Sequence, residues 1–172
     1  MDTSGWVALK HKRDTFWEAA TALHRSLLTV GVRYVTSNFV LDEAYTLLLH
    51  RAGHHVAVEL GEEIRASRLV AAVRITPDWE DEAWQMFKRY TDKAFSFTDC
   101  TSFVVMRHRG IWEAFTNDHN FEQVGYQRLL TCARSQDSDP WQRQVRALGI
   151  SRSTSIFLWT WSPLSAIHRP SV

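Results

Sequence analysis

The chain has 172 residues, the length of one ordinary domain, with 45% hydrophobic and 23% charged residues, so a single folded domain is expected rather than a multidomain enzyme or wholesale disorder. Twenty Lys and Arg balance nineteen Asp and Glu for a net charge of +1, and no global basic field marks nucleic acid or an anionic membrane as a partner. Any such partner has to be recognised locally.

In chain order, Asp14 to Val30 places Phe16, Ala20, Leu23 and Leu27 at helical spacing and stops at Gly31, a C-cap residue type. Val32 to Thr36 reads as a short strand. Ser37 or Asn38 can cap a helix that runs to Ala52 and ends at Gly53, and His54 to Ser67 supports another. Leu69 to Ile75 is rich in strand formers and closes at Thr76-Pro77. Pro77 suits the first turn of a helix reaching about Asp92, and Asp78, Glu80, Asp81 and Glu82 suit its positive end. Thr98 to Arg109 reads as helical up to Gly110, with Thr98 as its cap, and Glu113 to Asn117 as a strand. Strands alternating with helical crossovers imply a three-layer α/β fold around a mostly parallel sheet.

Composition shifts near Leu130. Residues 1–130 hold fifteen basic and seventeen acidic residues, whereas 131–172 have five Arg, no Lys, eight Ser, three Trp and three of the four Pro, without a sustained period. The domain boundary is expected there, with 131–172 an atypical tail, either a disordered extension or read-through into another frame. The alternative is a partner-binding segment with Trp141, Phe157, Trp159 and Trp161 as anchors. No charged-then-apolar leader opens the chain, and the late apolar run Ile156 to Trp161 is far short of the ~20 residues of a membrane span, so a cytoplasmic location is expected. Cys100 and Cys132 have neither metal-site nor disulfide-framework spacing and read as reduced thiols.

Most acids suit solvated helix faces or first turns, but four do not. Glu43 has Phe39, Val40 and Leu47 one turn away, so its side chain shares their inward face, where a lone carboxylate is costly unless protonated, paired, hydrogen-bonded or metal-bound. Asp99 lies in the apolar run Phe95 to Met106, where the plainer reading is a first-turn acid favoured by the helix dipole. Asp118 follows Ala114-Phe115-Thr116-Asn117 at the carboxyl end of a strand, where open α/β sheets place ligands; an ordinary turn aspartate is the alternative. Asp2 means little alone. Together, four carboxylates converging at one end of a parallel sheet would repel one another strongly without a counter-cation, and oxygen-only ligands favour Mg²⁺ or Mn²⁺ over zinc.

Asp2-Thr3-Ser4-Gly5-Trp6, Thr36-Ser37-Asn38-Phe39-Val40-Leu41-Asp42-Glu43-Ala44-Tyr45, Phe97-Thr98-Asp99-Cys100-Thr101-Ser102-Phe103 and Ala114-Phe115-Thr116-Asn117-Asp118-His119-Asn120-Phe121 resemble, in order and spacing, the four acidic motifs of PIN domains, closest to the VapC-like toxins. The resemblance spans residues 1–130. It implies a PIN-like α/β/α sandwich, Mg²⁺- or Mn²⁺-dependent endoribonuclease activity, and a homodimer inhibited by a cognate antitoxin. Carried over, Asp2, Glu43, Asp99 and Asp118 are the metal-binding and catalytic acids, with Ser4 and Ser102 as hydroxyls that hold a carboxylate or metal-bound water. Only Met1 precedes Asp2 where the family has a buried strand. The first strand is therefore expected to be missing or shortened, with either a start further upstream or a damaged sheet that fixes Asp2 poorly.

Other signals lead elsewhere. His50, His54 and His55 lack a third zinc ligand and straddle the helix-breaking Gly53. Cys100 has no readable activating His and reads as a core thiol. Arg51, Arg65, Arg68, Arg107, His108 and Arg109 could hold phosphates, with solvated surface as the default. The aromatics Trp6, Phe16, Trp17, Trp79, Trp84 and Phe87 suit core or dimer contact better than base stacking. Two competing functions remain: a catalytically impaired PIN-like protein that binds RNA or an antitoxin, motivated by the short start, and a magnesium-dependent phosphatase. The phosphatase would want a second aspartate where Ser4 stands.

Overall fold

The computed structural model describes residues 1–131. The expectations for the tail, including Trp141, Phe157, Trp159 and Trp161, and for Cys132 lie outside the described residues.

Two parallel strand pairs form the centre. Strand β1 (Tyr34–Ser37) pairs with β2 (Val70–Val73), Tyr34 opposite Val70 and Ser37 opposite Val73. Strand β3 (Glu113–Ala114) pairs with β4 (Gln127–Arg128). The strand expected over 113–117 is shorter because its later backbone groups go elsewhere: Phe115 O accepts from Asp2 N–H at 3.3 Å and Thr116 O from Leu130 N–H at 3.1 Å. Met1 and Asp2 stitch the two pairs together. The Met1 ammonium donates to Val35 O at 2.7 Å on one side while Asp2 bonds Phe115 on the other. Two residues thus bridge the pairs at the place where the sequence leads one to look for a full strand.

Seven helices surround the strands among the described residues. Helix α1 (Thr3–Lys10) was not legible as a helix, since Thr3, Gly5, Trp6, Val7 and Ala8 are all buried and leave no amphipathic stripe. Gly5 is required there: a Cβ would lie 2.4 Å from Phe115 O, so the close approach of α1 to the β3 segment admits no side chain. Helix α2 (Trp17–Thr29) starts later than expected because Asp14 Oδ1 accepts from Phe16 N–H at 2.9 Å in a turn that precedes it. Helices α3 (Asn38–Ala52) and α4 (His54–Ala66) follow the expected bounds, and α3 is capped by the Ser37 side chain on Val40 N–H. Helix α5 (Pro77–Arg89) is capped by Thr76.

Helix α6 (Phe97–Arg109) corrects the expected cap. Ser96, not Thr98, occupies the N-cap, and Asp99 is the third helical residue of a reciprocal capping box. Gly110 ends α6 in the left-handed region at φ 62°. A single turn, α7 (Asn120–Gln123), was not anticipated.

Two apolar clusters make the core. Trp6, Val7, Val40, Ala44, Leu48, Leu60 and Ile64 join α1, α3 and α4; Ala83, Phe95, Cys100, Phe103, Val104 and Phe121 join α5, α6 and α7. Their side chains number enough large apolar groups, at about 1.5–3 kcal/mol each, to anchor both helical layers against the strands. The result is the α/β/α sandwich expected from the order of elements, with a mostly parallel sheet.

Candidate metal and RNA-cleavage site

Four elements deliver one carboxylate each to a single cleft of about 380 Å³: Asp2 before α1, Glu43 on α3, Asp99 on α6 and Asp118 after β3. Ser4, Asp14, Arg51, Ser96, Asn117 and Asn120 also line it.

Asp2 is firmly held, which removes the concern that a short start leaves it poorly fixed. It is the N-cap of α1, and its Oδ2 accepts from Ser4 N–H at 3.2 Å, Ser4 Oγ at 3.0 Å and Thr116 Oγ1 at 2.9 Å. Glu43 is half-buried beside Leu47, and Thr3 Oγ1 donates to its Oε2 at 2.8 Å, tying α1 to α3. Its inward placement follows from helical spacing, and Thr3 supplies the hydrogen bond that a buried carboxylate needs.

Asp99 is 7% exposed. Its Oδ2 accepts from Ser96 N–H at 2.8 Å while its own N–H donates to Ser96 Oγ at 3.0 Å. Burial pushes its carboxyl up to about 6; the bond from Ser96 opposes this, and the nearby charges of Asp2 and Asp118 add to it. Asp118 Oδ1 accepts from Asn120 N–H at 2.8 Å, and Asp118 N–H donates to Thr116 Oγ1 at 3.0 Å. The Asn120 amide Nδ2 stands 3.4 Å from both Asp99 Oδ2 and Asp118 Oδ2, between the two acids.

Among the described residues, no three His, Cys, Asp or Glu side chains close into a tight metal cage. The carboxylates instead line an open cleft. Their chemistry fits a hard divalent cation: the donors are all oxygens, and four carboxylates share one cleft. Arg51 lines the same cleft but forms no ion pair with its acids among the described residues.

Of the hydroxyls singled out in the sequence, Ser4 sits on Asp2. Ser102 is buried further along α6 and is not among the side chains lining the cleft. Cys100 is fully buried, and burial followed by the Asp99 charge pushes its thiol up to about 11, so it is a core thiol rather than a nucleophile. His50, His54 and His55 form no metal cluster among the described residues. Sequence reasoning missed Thr3, Thr116, Ser96, Asp14 and Asn120. Thr116 and Asn120 stand two residues either side of Asp118, a signal that short polar residues flanking a strand-end acid deserve as candidate orienting groups.

The model of the family described as "PIN domain" matches residues 1–126. The 23S rRNA-specific endonuclease VapC20 of Mycobacterium tuberculosis, from strains CDC 1551 / Oshkosh and ATCC 25618 / H37Rv, is 40% identical over 126 residues, covering 73% of this chain and 93% of the relative. The crystal structure of M. tuberculosis VapC20, described as a Sarcin-Ricin loop cleaving toxin, matches with a TM-score of 0.68 at 38% identity, over 73% of this chain and 93% of that one. With the four acids in one cleft of an α/β/α sandwich, these similarities place the chain in the PIN domain family, as a VapC-like member.

Proposed function

We propose that this chain is a metal-dependent endoribonuclease of VapC toxin type, which hydrolyses an RNA phosphodiester in the cleft of Asp2, Glu43, Asp99 and Asp118. The observation that carries the reading is the arrival of those four carboxylates, from four separate elements, in one open cleft. The 40% identity to a 23S rRNA-specific endonuclease supports ribosomal RNA, at a sarcin-ricin type of loop, as the substrate class.

Asp2, Glu43, Asp99 and Asp118 would hold Mg²⁺ or Mn²⁺. A divalent ion bound there supplies positive charge for a phosphodiester transition state and acidifies water. The protein's own contribution is orientation. Ser4 and Thr116 fix Asp2, Thr3 fixes Glu43, the capping box fixes Asp99, and the Asn120 backbone fixes Asp118. Such supporting hydrogen bonds aim first-contact ligands and keep them ionised. Burial raises the Asp99 carboxyl to about 6 in the metal-free cleft, and a cation held there would favour its ionised form. A cognate antitoxin, a homodimer and a cytoplasmic setting belong to the same reading; no described helix is long and apolar enough to cross a membrane.

The test is incubation of purified ribosomal RNA with wild type, Glu43→Gln and Asp99→Asn in Mg²⁺ or Mn²⁺. Discrete cleavage by wild type that falls at least about 100-fold in both variants is expected. Equal products from all three would reject the reading.

A further inference from the structure

A second groove adjoins the acidic cleft, and its chemistry is opposite. It has a volume of about 770 Å³ and is lined by His11, Lys12, Arg13, Trp17, Arg51 and His55, among others. Arg51 lines both, so the basic groove and the acidic cleft meet at this side chain.

The cations of this groove are available. Lys10, at its edge, is committed to Glu59 and Glu63 at 3.0 and 2.5 Å, which also answers the groove's own carboxylate, Glu59. Lys12, Arg13 and Arg51 are exposed and form no ion pair among the described residues. Arg51 also lines the acidic cleft, whereas Lys12 and Arg13 follow the far end of α1 and face the groove alone. Trp17 is half-buried on the same wall and offers an aromatic face.

The geometry also has the right scale. Lys12 and Arg13 follow the C-terminal end of α1, whose N-terminal end carries Asp2 and Ser4 of the cleft. Eight helical residues at ~1.5 Å each separate the two ends by about 12 Å. A stacked strand carries one phosphate per roughly 3.4 Å, so about three nucleotides span that distance.

We propose that the Lys12–Arg13–Arg51 groove is the substrate track: it binds the phosphates of the RNA strand flanking the scissile bond, with Trp17 as a stacking surface, and Arg51 hands the strand into the acidic cleft. The inference rests on the nuclease reading for the identity of the polymer. These residues position the strand and take no part in bond breaking. A net charge of only +1 then suffices, because recognition is local.

The test uses the full chain carrying Asp99→Asn, so that RNA is bound without being cut. A fluorescent sarcin-ricin hairpin RNA is titrated at several salt concentrations and fixed Mg²⁺. Adding Lys12→Gln, Arg13→Gln and Arg51→Gln together should weaken binding at least about 10-fold near physiological salt. It should also flatten the salt dependence by about two in log–log slope, since each phosphate contact on a single strand contributes ~0.7. The charge-keeping set Lys12→Arg, Arg13→Lys and Arg51→Lys should restore most of both. An unchanged affinity and slope in the Gln variant, or a parent that does not bind the hairpin, overturns the proposal. The nuclease reading fails separately: wild type that leaves the hairpin uncut, beside a parent whose binding depends on these three cations, upholds the groove and rejects the cleavage.

Discussion

Thr116 Oγ1 donates a hydrogen bond to Asp2 Oδ2 at 2.9 Å, joining side chains 114 residues apart in the chain. The same buried oxygen accepts from Asp118 N–H at 3.0 Å and stands 2.8 Å from Ser4 Oγ. One hydroxyl therefore aims two of the four acids. Thr116→Val preserves shape and removes the hydroxyl, leaving Asp118 N–H without its partner, at a cost of about 1–3 kcal/mol. The expected outcome is a lower melting temperature and single-turnover cleavage reduced about 10- to 100-fold, with Thr116→Ser close to wild type. A Val variant that cuts at the wild-type rate would contradict this role.

Asp99 links stability to pH. Its folded value of about 6 stands above the ordinary 3.8, so the folded state holds the proton more tightly than the unfolded chain. The metal-free protein is therefore favoured below pH 4 by this group and loses that contribution as pH rises through 6, a change on the order of 3 kcal/mol. Asp99→Asn removes the buried charge. It should raise the melting temperature of the metal-free protein at neutral pH by several degrees and flatten its dependence between pH 4 and 6, while abolishing cleavage. Calorimetry of both proteins in EDTA decides it; a variant with the same pH dependence as wild type would be incompatible.

The capping box gives Asp99, a proposed metal ligand, a structural role as well. Ser96→Ala removes the hydroxyl that accepts from Asp99 N–H and should cost about 1 kcal/mol, with Ser96→Asn recovering most of it. Thermal unfolding by circular dichroism measures this. Loss of a few degrees is expected for Ala, and no loss would mean that the cap contributes nothing to α6.

The proposed metal role of the four acids predicts that a divalent cation stabilises the fold. Saturating Mn²⁺ at ~100 times its dissociation constant stabilises by about 2.7 kcal/mol, so the melting temperature of wild type should rise by several degrees. Glu43→Gln and Asp2→Asn should reduce the rise. An identical response in wild type and both variants would place the ion elsewhere.

The parts of this molecule legible in its sequence are those written locally. Ser37 and Gly53 bracket α3, Thr76 and Pro77 open α5, and Gly110 closes α6, each acting on its nearest neighbours. Helix α1 was hidden because its burial comes from every side, which erases the periodic stripe that betrays a helix. Thr98 looked like a cap because its type is right, yet Ser96 wins by reaching Asp99 N–H and receiving the carboxylate in return. The four acids stood out through apolar surroundings and family spacing. Thr3, Thr116 and Asn120 did not, because their partners lie 40, 114 and 21 residues away and only the fold brings them together.

On the proposed function, RNA cleavage depends on the four acids of the cleft. An end-labelled sarcin-ricin hairpin, incubated in Mn²⁺ with wild type and with Asp99→Asn at equal folded concentration, tests it most directly. A single cut in the loop by wild type, abolished by EDTA and by the substitution, is expected. A cut of equal yield in Asp99→Asn, or one indifferent to EDTA, would contradict it.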